Sequence, residues 1–285
     1  MQLKHAYLIL AHNEFWLLQT LVNCIDDERN DIFIHIDAQV RNLPELRAQK
    51  AGLKILDKRV DVRWGDISVV EAEYELFKAA VNDGPYAYYH LLSGTDLPIK
   101  SQDYIHSFCN EHQGKEFIGY TLTEITPEVV RKAQRWHLFP RRFRSRNVLV
   151  RAIRSGFLRL QEQFGIKRNR RIGFKKGSQW VSVTHDMARY FLEHRKWVRR
   201  KFRNTFCSDE IVIQTLCWQS PYRGNIYCTT DDGKGCMRAI GWRDGCLYDW
   251  TTADFDSLSG SEALFARKFN SSDWEFIEKV KSLSR

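Results

Sequence analysis

A short run near residue 210 combines a serine with two adjacent carboxylates, and these residue types could supply a general base. Ser208, Asp209 and Glu210 stand immediately before an apolar segment with helical spacing, which predicts that Ser208 caps a helix. Both acids would then lie in its first turn, where the helix dipole favours the ionised form that a base needs. The same pattern is also typical of an acidic turn that only stabilises a helix, and spacing alone leaves both interpretations open.

Three further polar residues follow predicted buried strands. His12 follows the apolar run that ends at Ala11, Asp37 ends a second apolar run, and Asp96 lies in the turn after a third. Because ligands of open α/β sheets bind outside the carboxyl ends of the strands, these side chains predict a cleft at one edge. Each Asp could instead cap a turn or a helix, and the three residues do not name the ligand.

The elements that must position these residues alternate between strands and helices. Apolar runs typical of strands span residues 7–11, 31–37, 53–56, 60–62, 88–92, 116–120, 177–184 and 225–228. Helical spacing predicts helices at 15–24, 68–81, 102–111, 147–164 and 187–195, the second of them opened by a capping box at Ser68. The alternation predicts an α/β fold with a mainly parallel central sheet flanked by helices. No G-x-G-x-x-G or Walker A pattern occurs, which argues against dinucleotide-binding oxidoreductases and P-loop NTPases.

The charge of this 285-residue chain is concentrated in one segment. The whole chain carries a net charge of +9, but residues 131–176, termed the basic segment below, hold sixteen Lys or Arg and one acid, Glu162. The basic segment is therefore at +15 and the rest of the chain at −6. Such a segment indicates an anionic partner: a phosphate, an acidic glycan, an anionic lipid or a nucleic acid.

Within the basic segment, residues 147–164 predict an amphipathic helix. Its apolar residues lie near one face: Val148, Leu149, Ala152, Ile153, Phe157, Leu160 and Phe164. Arg151, Arg154 and Arg159 flank that face. The helix could lie on an anionic membrane surface, or its apolar face could pack on the rest of the domain, and the sequence leaves both open.

Other features indicate a cytoplasmic location. The apolar run at 6–11 is too short to span a membrane, and no signal-peptide pattern precedes it. The seven cysteines show neither a C-x-x-C pair nor the spacing of zinc ligands, so we expect reduced thiols without disulfides. We expect a cytoplasmic protein, peripheral on the inner face of the plasma membrane if the amphipathic helix binds lipid.

Eight segments, in order, resemble pieces of one enzyme family: residues 6–12, 33–37, 64–68, 90–100, 177–180, 208–210, 237–242 and 264–269. That family comprises the core-2/I-branching β-1,6-N-acetylglucosaminyltransferases and peptide O-xylosyltransferases, family 14 of the glycosyltransferases. The resemblance covers nearly the whole chain except about residues 121–176, so it does not identify the acceptor. Animal relatives are membrane-anchored and disulfide-bonded, and because this chain shows neither feature we expect a bacterial member.

The resemblance implies a GT-A-type fold, a nucleotide-sugar donor, and transfer with inversion to a β-linkage. It also implies that no divalent metal and no other cofactor is required, since the turn after strand 88–92 holds a single carboxylate, Asp96, instead of an Asp-x-Asp pair. The literal Asp254-Phe255-Asp256 is interpreted as helix capping. Protein cations would then hold the diphosphate of UDP.

Residue by residue, the resemblance assigns Glu210 as the general base that deprotonates the acceptor hydroxyl. Direct displacement explains inversion with one essential carboxylate, whereas double displacement would also need a nucleophile. The implied contacts to the nucleotide sugar are His12, Asp37, Trp64, Asp96 and Lys268, with Arg238 and Arg243 as alternative candidates for the arginine on the diphosphate. Trp180 and Asp209 would line the acceptor side.

The sequence thus predicts one GT-A-like catalytic domain over 1–285, with a nucleotide-sugar-binding half at 1–120, a basic insertion at 121–176 and an acceptor and catalytic half at 177–285. We expect transfer from a UDP-sugar, N-acetylglucosamine before xylose or another hexose, to a glycan or lipid-diphosphate-linked acceptor in bacterial surface polysaccharide synthesis. The alternatives are a nucleic-acid-binding protein, prompted by the basic segment with its interleaved aromatics, and a catalytically silent glycan-binding relative. Confinement of the charge to one insertion argues against nucleic acid, and Glu210 and Lys268 argue against the silent relative.

Overall fold

The computed structural model describes residues 3–121 and 126–284. The strands in chain order are β1 (His5–Ala11), β2 (Asn30–Ile36), β3 (Gly52–Ile55), β4 (Tyr88–Ser93), β5 (Asp96–Pro98), β6 (Ser182–Thr184), β7 (Arg238–Ile240), β8 (Trp242–Arg243), β9 (Cys246–Leu247) and β10 (Phe265–Arg267). The α-helices are α1 (Phe15–Cys24), α2 (Ser68–Asp83), α3 (Gln102–Glu111), α4 (Pro127–Ala133), α5 (Val148–Gln163), α6 (His185–Glu193), α7 (Arg195–Phe202), α8 (Val212–Gln219), α9 (Asp232–Cys236), α10 (Phe255–Ser259) and α11 (Trp274–Lys281).

A central sheet of five strands has the order β3–β2–β1–β4–β6. Neighbouring strands are parallel except at β6, which runs antiparallel to β4. Successive residues of β1 are buried in opposite cores, Ala6 and Leu8 on one face and Tyr7 and Ile9 on the other. A strand that is covered on both faces reads as a continuous apolar run, which is why β1 was recognisable from sequence.

Helices cover both faces of this sheet. One core contains side chains from α2, α6 and α8, where the rings of Tyr74 and Phe191 stack with centroids 4.0 Å apart. The other core contains side chains from α1, α3 and α11, including Leu21, Ile105 and Ile277. The predicted α/β class with a mainly parallel sheet is confirmed, and the arrangement is consistent with a GT-A-type fold.

A second sheet of three strands, in the order β5–β10–β7, returns the C-terminal part of the chain to the edge where β4 ends. β10 runs antiparallel to β5, so that Arg267 lies opposite Asp96, and parallel to β7. The predicted halves 1–120 and 177–285 therefore share both sheets, because β6 pairs with β4 and β10 with β5. The three-part division of the chain stays a prediction.

Several local predictions are wrong. The runs at 60–62, 116–120 and 225–228 are not strands, and the last two make only isolated bridges at Glu116, Phe117 and Ile226. The capping box at Ser68 does not form, because the Ser68 hydroxyl accepts a hydrogen bond from the Arg63 N–H at 2.8 Å. The predicted turn after β4 contains β5, and the run at 177–184 is reduced to β6. The isolated bridges and β5 arise from contacts that are distant in sequence, whereas the failed capping box has a local cause.

The amphipathic helix of the basic segment forms as predicted and begins after Asn147, whose side chain accepts from the Val150 N–H at 3.2 Å. Most of its apolar face does not pack on the domain, because Leu149 and Phe164 are exposed while Phe157 is half-buried. The interpretation of this helix as a packed insertion is therefore wrong. No helix of residues 3–121 and 126–284 combines the length and apolar character needed to cross a bilayer.

Candidate active site

The carboxyl ends of β1 and β2 bring His12 and Asp37 to one small cavity. This cavity of about 50 Å³ is lined by both side chains together with His35 and Val62. Asp37 is buried and accepts a hydrogen bond from the Gln39 N–H at 2.8 Å, while the Gln39 amide donates to the Val62 carbonyl at 2.8 Å. The contact fixes the loop before α2 against the strand ends, so His12 and Asp37 lie together as the sequence predicts.

Trp64 lies half-exposed on that loop and connects it to the segment that carries the paired acids. Its ring meets Phe206 edge-on with centroids 5.5 Å apart, and the Arg144 guanidinium lies 4.6 Å from its centre. The Cys207 N–H also donates to the Gly65 carbonyl at 3.0 Å. The predicted nucleotide side and the predicted base are therefore joined through this loop.

Ser208–Glu210 form a short 3₁₀ turn, and α8 begins only at Val212. Ser208 caps neither element: Cys207 precedes the turn with a φ of 49°, and the buried Ser208 hydroxyl has no hydrogen-bond partner among the described residues. The prediction of a capping serine with both acids in the first turn of the long helix is wrong. The turn is instead held by the Gly177 N–H, which donates to the Glu210 carbonyl at 3.0 Å.

Glu210 contacts two lysines from the two ends of the basic segment. Its Oε2 lies 2.9 Å from the Lys132 ammonium and 3.8 Å from the Lys176 ammonium. Both ammonium groups also lie 2.9 Å from Glu128, and their hydrogen bonds lower the pKa of Glu128 to about 2. The Glu210 carboxylate remains partly accessible to solvent, so another hydroxyl could reach it.

A half-buried carboxyl, Asp209, and a buried one, Glu73, lie behind Glu210. Burial, and then the charge of Glu210, raise the pKa of Asp209 to about 7, and Asp209 Oδ1 has no hydrogen-bond partner in the described part of the chain. Burial, and then the charge of Asp209, raise the pKa of Glu73 well above its usual range, although Gln179 donates to it at 2.7 Å. At neutral pH, Asp209 is therefore near the midpoint of its titration, and burial favours the protonated form of Glu73.

Asp96 pairs with an arginine that the sequence pattern had not indicated. The buried Asp96 carboxylate accepts from the Ser93 N–H at 2.8 Å and lies 3.4 Å from the Arg267 guanidinium. The same guanidinium lies 4.3 Å from the centre of the Trp180 ring, covering one face of it. Burial raises the pKa of Asp96 despite this cation and lowers the pKa of Arg267. Asp96 and Trp180, predicted on the donor and acceptor sides, thus meet in one cluster.

Arg238, one candidate for the diphosphate contact, is a buried link between strands. It is only 2% exposed, and its guanidinium donates to the Cys236 carbonyl at 2.7 Å and to the Val181 carbonyl at 3.0 Å. It also lies 4.5 Å from the centre of the Phe265 ring. Because it is buried and both of its terminal nitrogens donate to backbone carbonyls, Arg238 does not face the cleft.

Arg243 is exposed instead, and Lys268 is half-buried. The Arg243 side chain is 64% exposed, stacks 4.4 Å from the Tyr248 ring centre and lies 3.8 Å from Asp254. The Lys268 ammonium lies 2.9 Å from Asp249, in the same loop system that follows β8 and β9. Of the three predicted diphosphate cations, these two could meet a ligand from solvent.

Residues 177–180 connect the separate parts of the site. Gly177 binds Glu210, Gln179 binds Glu73 and Trp180 lies under Arg267. From Gly177 to Trp180 the backbone spans at most about 10 Å, so this short segment connects Glu210 with the Asp96 cluster.

The sequence model of the Core-2/I-branching enzyme family matches residues 5–263. The chain belongs to this family. No curated protein matches the chain. Membership of the Core-2/I-branching family implies a glycosyltransferase activity, and hence a sugar donor and a glycan acceptor in general. The match includes Glu210 but ends before Lys268, whose role stays a prediction.

Two groups in this Core-2/I-branching family member could be mistaken for metal sites. Asp254 accepts from the Thr251 N–H and hydroxyl in a capping box, as the sequence predicts. His5, His90 and Cys109 lie buried with potential ligand atoms within 4.8 Å of one another. The nitrogens of His90 are, however, engaged by Ser182 at 2.7 Å and His5 at 3.0 Å, and burial raises the pKa of the Cys109 thiol to about 12. A hydrogen-bonded cluster of neutral groups describes them better than a metal site.

Four residues of the site were missed at the level of sequence: Glu73, Lys132, Lys176 and Arg267. A signal existed for Glu73, which stands three residues after Val70 and four before Phe77 and so falls on the apolar face of α2. An acid on a buried face is costly unless it has a function or a partner. The two lysines were hidden within the many charges of the basic segment.

Proposed function

We propose that this protein is an inverting glycosyltransferase that transfers a sugar from a UDP-sugar to a glycan or lipid-diphosphate-linked acceptor, with Glu210 as the general base. The observation that carries the proposal is the environment of Glu210. Its partly exposed carboxylate lies next to Lys132 and Lys176, and its backbone carbonyl is bound by the segment 177–180, which also reaches the Asp96 cluster. Such a carboxylate can accept a proton from a hydroxyl that enters from solvent.

The proposed reaction is a direct displacement. The acceptor hydroxyl gives its proton to Glu210 while its oxygen bonds to the anomeric carbon, and the bond from that carbon to UDP breaks on the opposite face. The configuration inverts and a β-linkage results from an α-linked donor. Lys268 and Arg243 would receive the charge that develops on the leaving diphosphate, because preorganised cations stabilise charge where it appears.

The nucleotide would occupy the edge formed by the ends of β1 and β2. His12 and Asp37 line a common cavity there, and the half-exposed Trp64 offers an aromatic face beside it. We assign the uridine and ribose to this edge and the donor sugar to the neighbourhood of Asp96, which leaves the acceptor between Trp180 and Asp209. N-acetylglucosamine is our first choice of donor sugar, because the family is named for enzymes that transfer it.

We propose that the diphosphate is held without a divalent metal or other cofactor. Asp96 is the single carboxylate at the turn after β4; its Oδ2 accepts from the Ser93 N–H, and its Oδ1 lies 3.4 Å from the Arg267 guanidinium in an ion pair. A cation would have to displace that guanidinium in order to bind Asp96. The charge of Arg267 thus takes the place that a metal would fill on this carboxylate.

An anionic acceptor agrees with the charges around the proposed base. Besides Lys132 and Lys176, a cavity of about 610 Å³ lies beside the loop that carries Trp64, and five basic residues outnumber the acids Asp66 and Glu71 in its lining: Arg141, Lys196, Arg199, Arg200 and Arg203. Phosphate groups bind such clusters of arginines well. We therefore favour a phosphorylated or lipid-diphosphate-linked acceptor of bacterial surface polysaccharide synthesis.

Glu210→Gln and Glu128→Gln form a matched pair that tests the base. Both carboxylates contact the same two lysines, but only Glu210 is assigned to the acceptor proton. We expect Glu210→Gln to lower kcat by about 10²- to 10⁴-fold and Glu128→Gln to have a small effect. Equal losses in both variants would contradict the assignment.

Nucleotide binding tests the donor. Thermal unfolding with UDP-, GDP-, CMP- and dTDP-sugars in EDTA should show stabilisation by UDP and by one UDP-sugar. Stabilisation that appears only after Mg²⁺ or Mn²⁺ is added would contradict the metal-independent site. Stabilisation by no nucleotide, together with salt-sensitive binding of DNA or RNA, would contradict the enzyme as a whole.

A further inference from the structure

An apolar stripe on α5 faces solvent. Leu149, Ile153, Leu160 and Phe164 recur at intervals of four, seven and four residues, which places them on one side of the helix. Their exposed fractions are 68%, 43%, 52% and 69%. Single exposed apolar residues are ordinary, but a contiguous row marks an interaction surface.

The side of α5 next to the stripe is already fixed to the domain. Gln161 is buried, donates to the Trp136 carbonyl at 2.9 Å and accepts from the Trp136 N–H at 2.7 Å. Arg154 donates to the Phe143 carbonyl at 3.1 Å and stacks 4.3 Å from the Phe143 ring centre. The stripe is thus held outward by the packing of the helix.

Exposed cations without an acidic partner stand before, within and after α5 in the sequence. Within the basic segment, the exposed basic residues that have no carboxylate within 4.0 Å in the described part of the chain are Arg142, Arg144, Arg146, Arg151, Arg159, Lys167, Arg170 and Arg171. A helix with an apolar side and flanking arginines is typical of segments that lie in the interface of an anionic bilayer. Each such cation adds attraction to a negatively charged leaflet.

We propose that α5 lies on an anionic lipid surface, with the stripe of Leu149, Ile153, Leu160 and Phe164 inserted below the headgroups and the surrounding arginines bound to lipid phosphates. A second copy of the chain fits this surface less well, because pairing two stripes would bring two segments of +15 together. Lipid satisfies both properties of the surface at once, since its headgroups are anionic and its chains apolar.

Docking through α5 would also orient the candidate base. Phe143, which α5 contacts through Arg154, lies against Phe206 with ring centroids 4.7 Å apart, and Phe206 stands just before the turn of Glu210. Ring-on-ring packing gives little freedom between α5 and this turn. The orientation toward a membrane-bound acceptor rests on the proposed function, whereas lipid binding itself does not.

Vesicle co-sedimentation with the full chain tests the surface. We expect binding to vesicles of 30% phosphatidylglycerol in phosphatidylcholine and little binding to pure phosphatidylcholine. Leu149→Gln/Leu160→Gln/Phe164→Gln should lower partitioning by at least about tenfold, since large apolar groups are lost from the inserted side. The control Leu3→Gln/Leu43→Gln/Trp274→Gln changes three similarly exposed apolar residues elsewhere and should bind like wild type.

Charge reversal tests the second component. Arg146→Glu/Arg159→Glu should lower partitioning by at least about 25-fold, from about fivefold per lost cation, and the control Arg41→Glu/Lys54→Glu should have little effect. Equal binding of wild type and the triple α5 variant, or equal losses in test and control variants, would overturn the proposal. So would a dimer in analytical ultracentrifugation that the triple variant abolishes.

Failure of lipid binding is distinguishable from failure of the enzymatic proposal. UDP-dependent thermal stabilisation is measured on the same variants without vesicles. If an α5 variant no longer binds vesicles but still binds nucleotide, the defect is confined to α5. If the wild type binds vesicles but no nucleotide, only the donor assignment is rejected.

Discussion

Replacing Asp209 by Asn should make the protein more stable, and increasingly so as the pH rises. The pKa of Asp209 is raised from 3.8 to about 7 in the folded state, by burial first and by the charge of Glu210 second. Between those two values the folded chain holds a proton that the unfolded chain has lost. Stability therefore falls as the pH rises from about 4 to about 7 and changes little through this group above that.

The size of the effect follows from the difference between the folded and unfolded pKa values. Ionisation of Asp209 lowers the free energy of unfolding by roughly 2 kcal/mol at pH 5 and by roughly 4 kcal/mol at pH 8, because a tenfold change in a dissociation constant corresponds to about 1.4 kcal/mol. Asparagine carries no charge at either pH and has nearly the same volume. Relative to Asp209→Asn, the wild type should thus lose roughly 2 to 3 kcal/mol between pH 5 and pH 8.

Urea unfolding of both proteins at pH 5, 6, 7 and 8 measures this difference. Asp57→Asn, which removes an exposed carboxylate, controls for the loss of one surface charge. The raised pKa of Asp209 would be refuted if the difference in unfolding free energy between wild type and Asp209→Asn stayed constant within about 0.5 kcal/mol over this range.

Three further substitutions test the site and its supports. Lys132→Met removes the ammonium 2.9 Å from Glu210 and should lower kcat by about 10- to 100-fold with UDP affinity unchanged, in steady-state kinetics and nucleotide titration; unchanged kcat would contradict it. Gly177→Ala would place a methyl group against the Gly119 carbonyl oxygen and should lower the free energy of unfolding by more than about 3 kcal/mol, a loss that a Tm close to wild type would exclude. Arg238→Met should cost about 2 to 4 kcal/mol in urea unfolding yet leave the UDP affinity of the folded protein intact, whereas an affinity loss without destabilisation would restore Arg238 as a diphosphate contact.

The elements that were predictable from sequence are those whose causes are local. α1 and α3 have the predicted bounds, because apolar spacing marks both helices and the Ser101 side chain caps α3 by accepting from the Tyr104 N–H at 3.3 Å. β1 was predictable because it is buried on both faces. The strands β5, β7 and β10 have only three residues each, which is too short for periodicity to reveal them, and β5 pairs with β10 across more than half of the chain.

The site shows the same division between local and distant causes. Position after a strand and resemblance to a family indicated Asp96 and Glu210, but their partners lie far away in sequence: Lys132 is 78 residues from Glu210, and Arg267 belongs to another strand. Ser208 failed as a cap because the turn is fixed by tertiary contacts at both ends, including the one from Gly177. Local capping rules apply when no such contact competes.

The basic segment combines inward-facing lysines with an exposed apolar stripe, and neither membrane binding alone nor catalysis alone would require both. Attraction to a membrane alone gives no reason for Lys132 and Lys176 to point inward, where their side chains are largely buried against Glu210 and Glu128. Catalysis alone gives no reason for an apolar stripe to face solvent on α5. Exposed cations lose most of their attraction beyond about 8 Å in physiological salt, whereas partly buried pairs are screened much less. One segment can therefore carry a salt-sensitive outer charge for binding and a salt-resistant inner charge for chemistry, and both would act on an acceptor presented at an anionic surface.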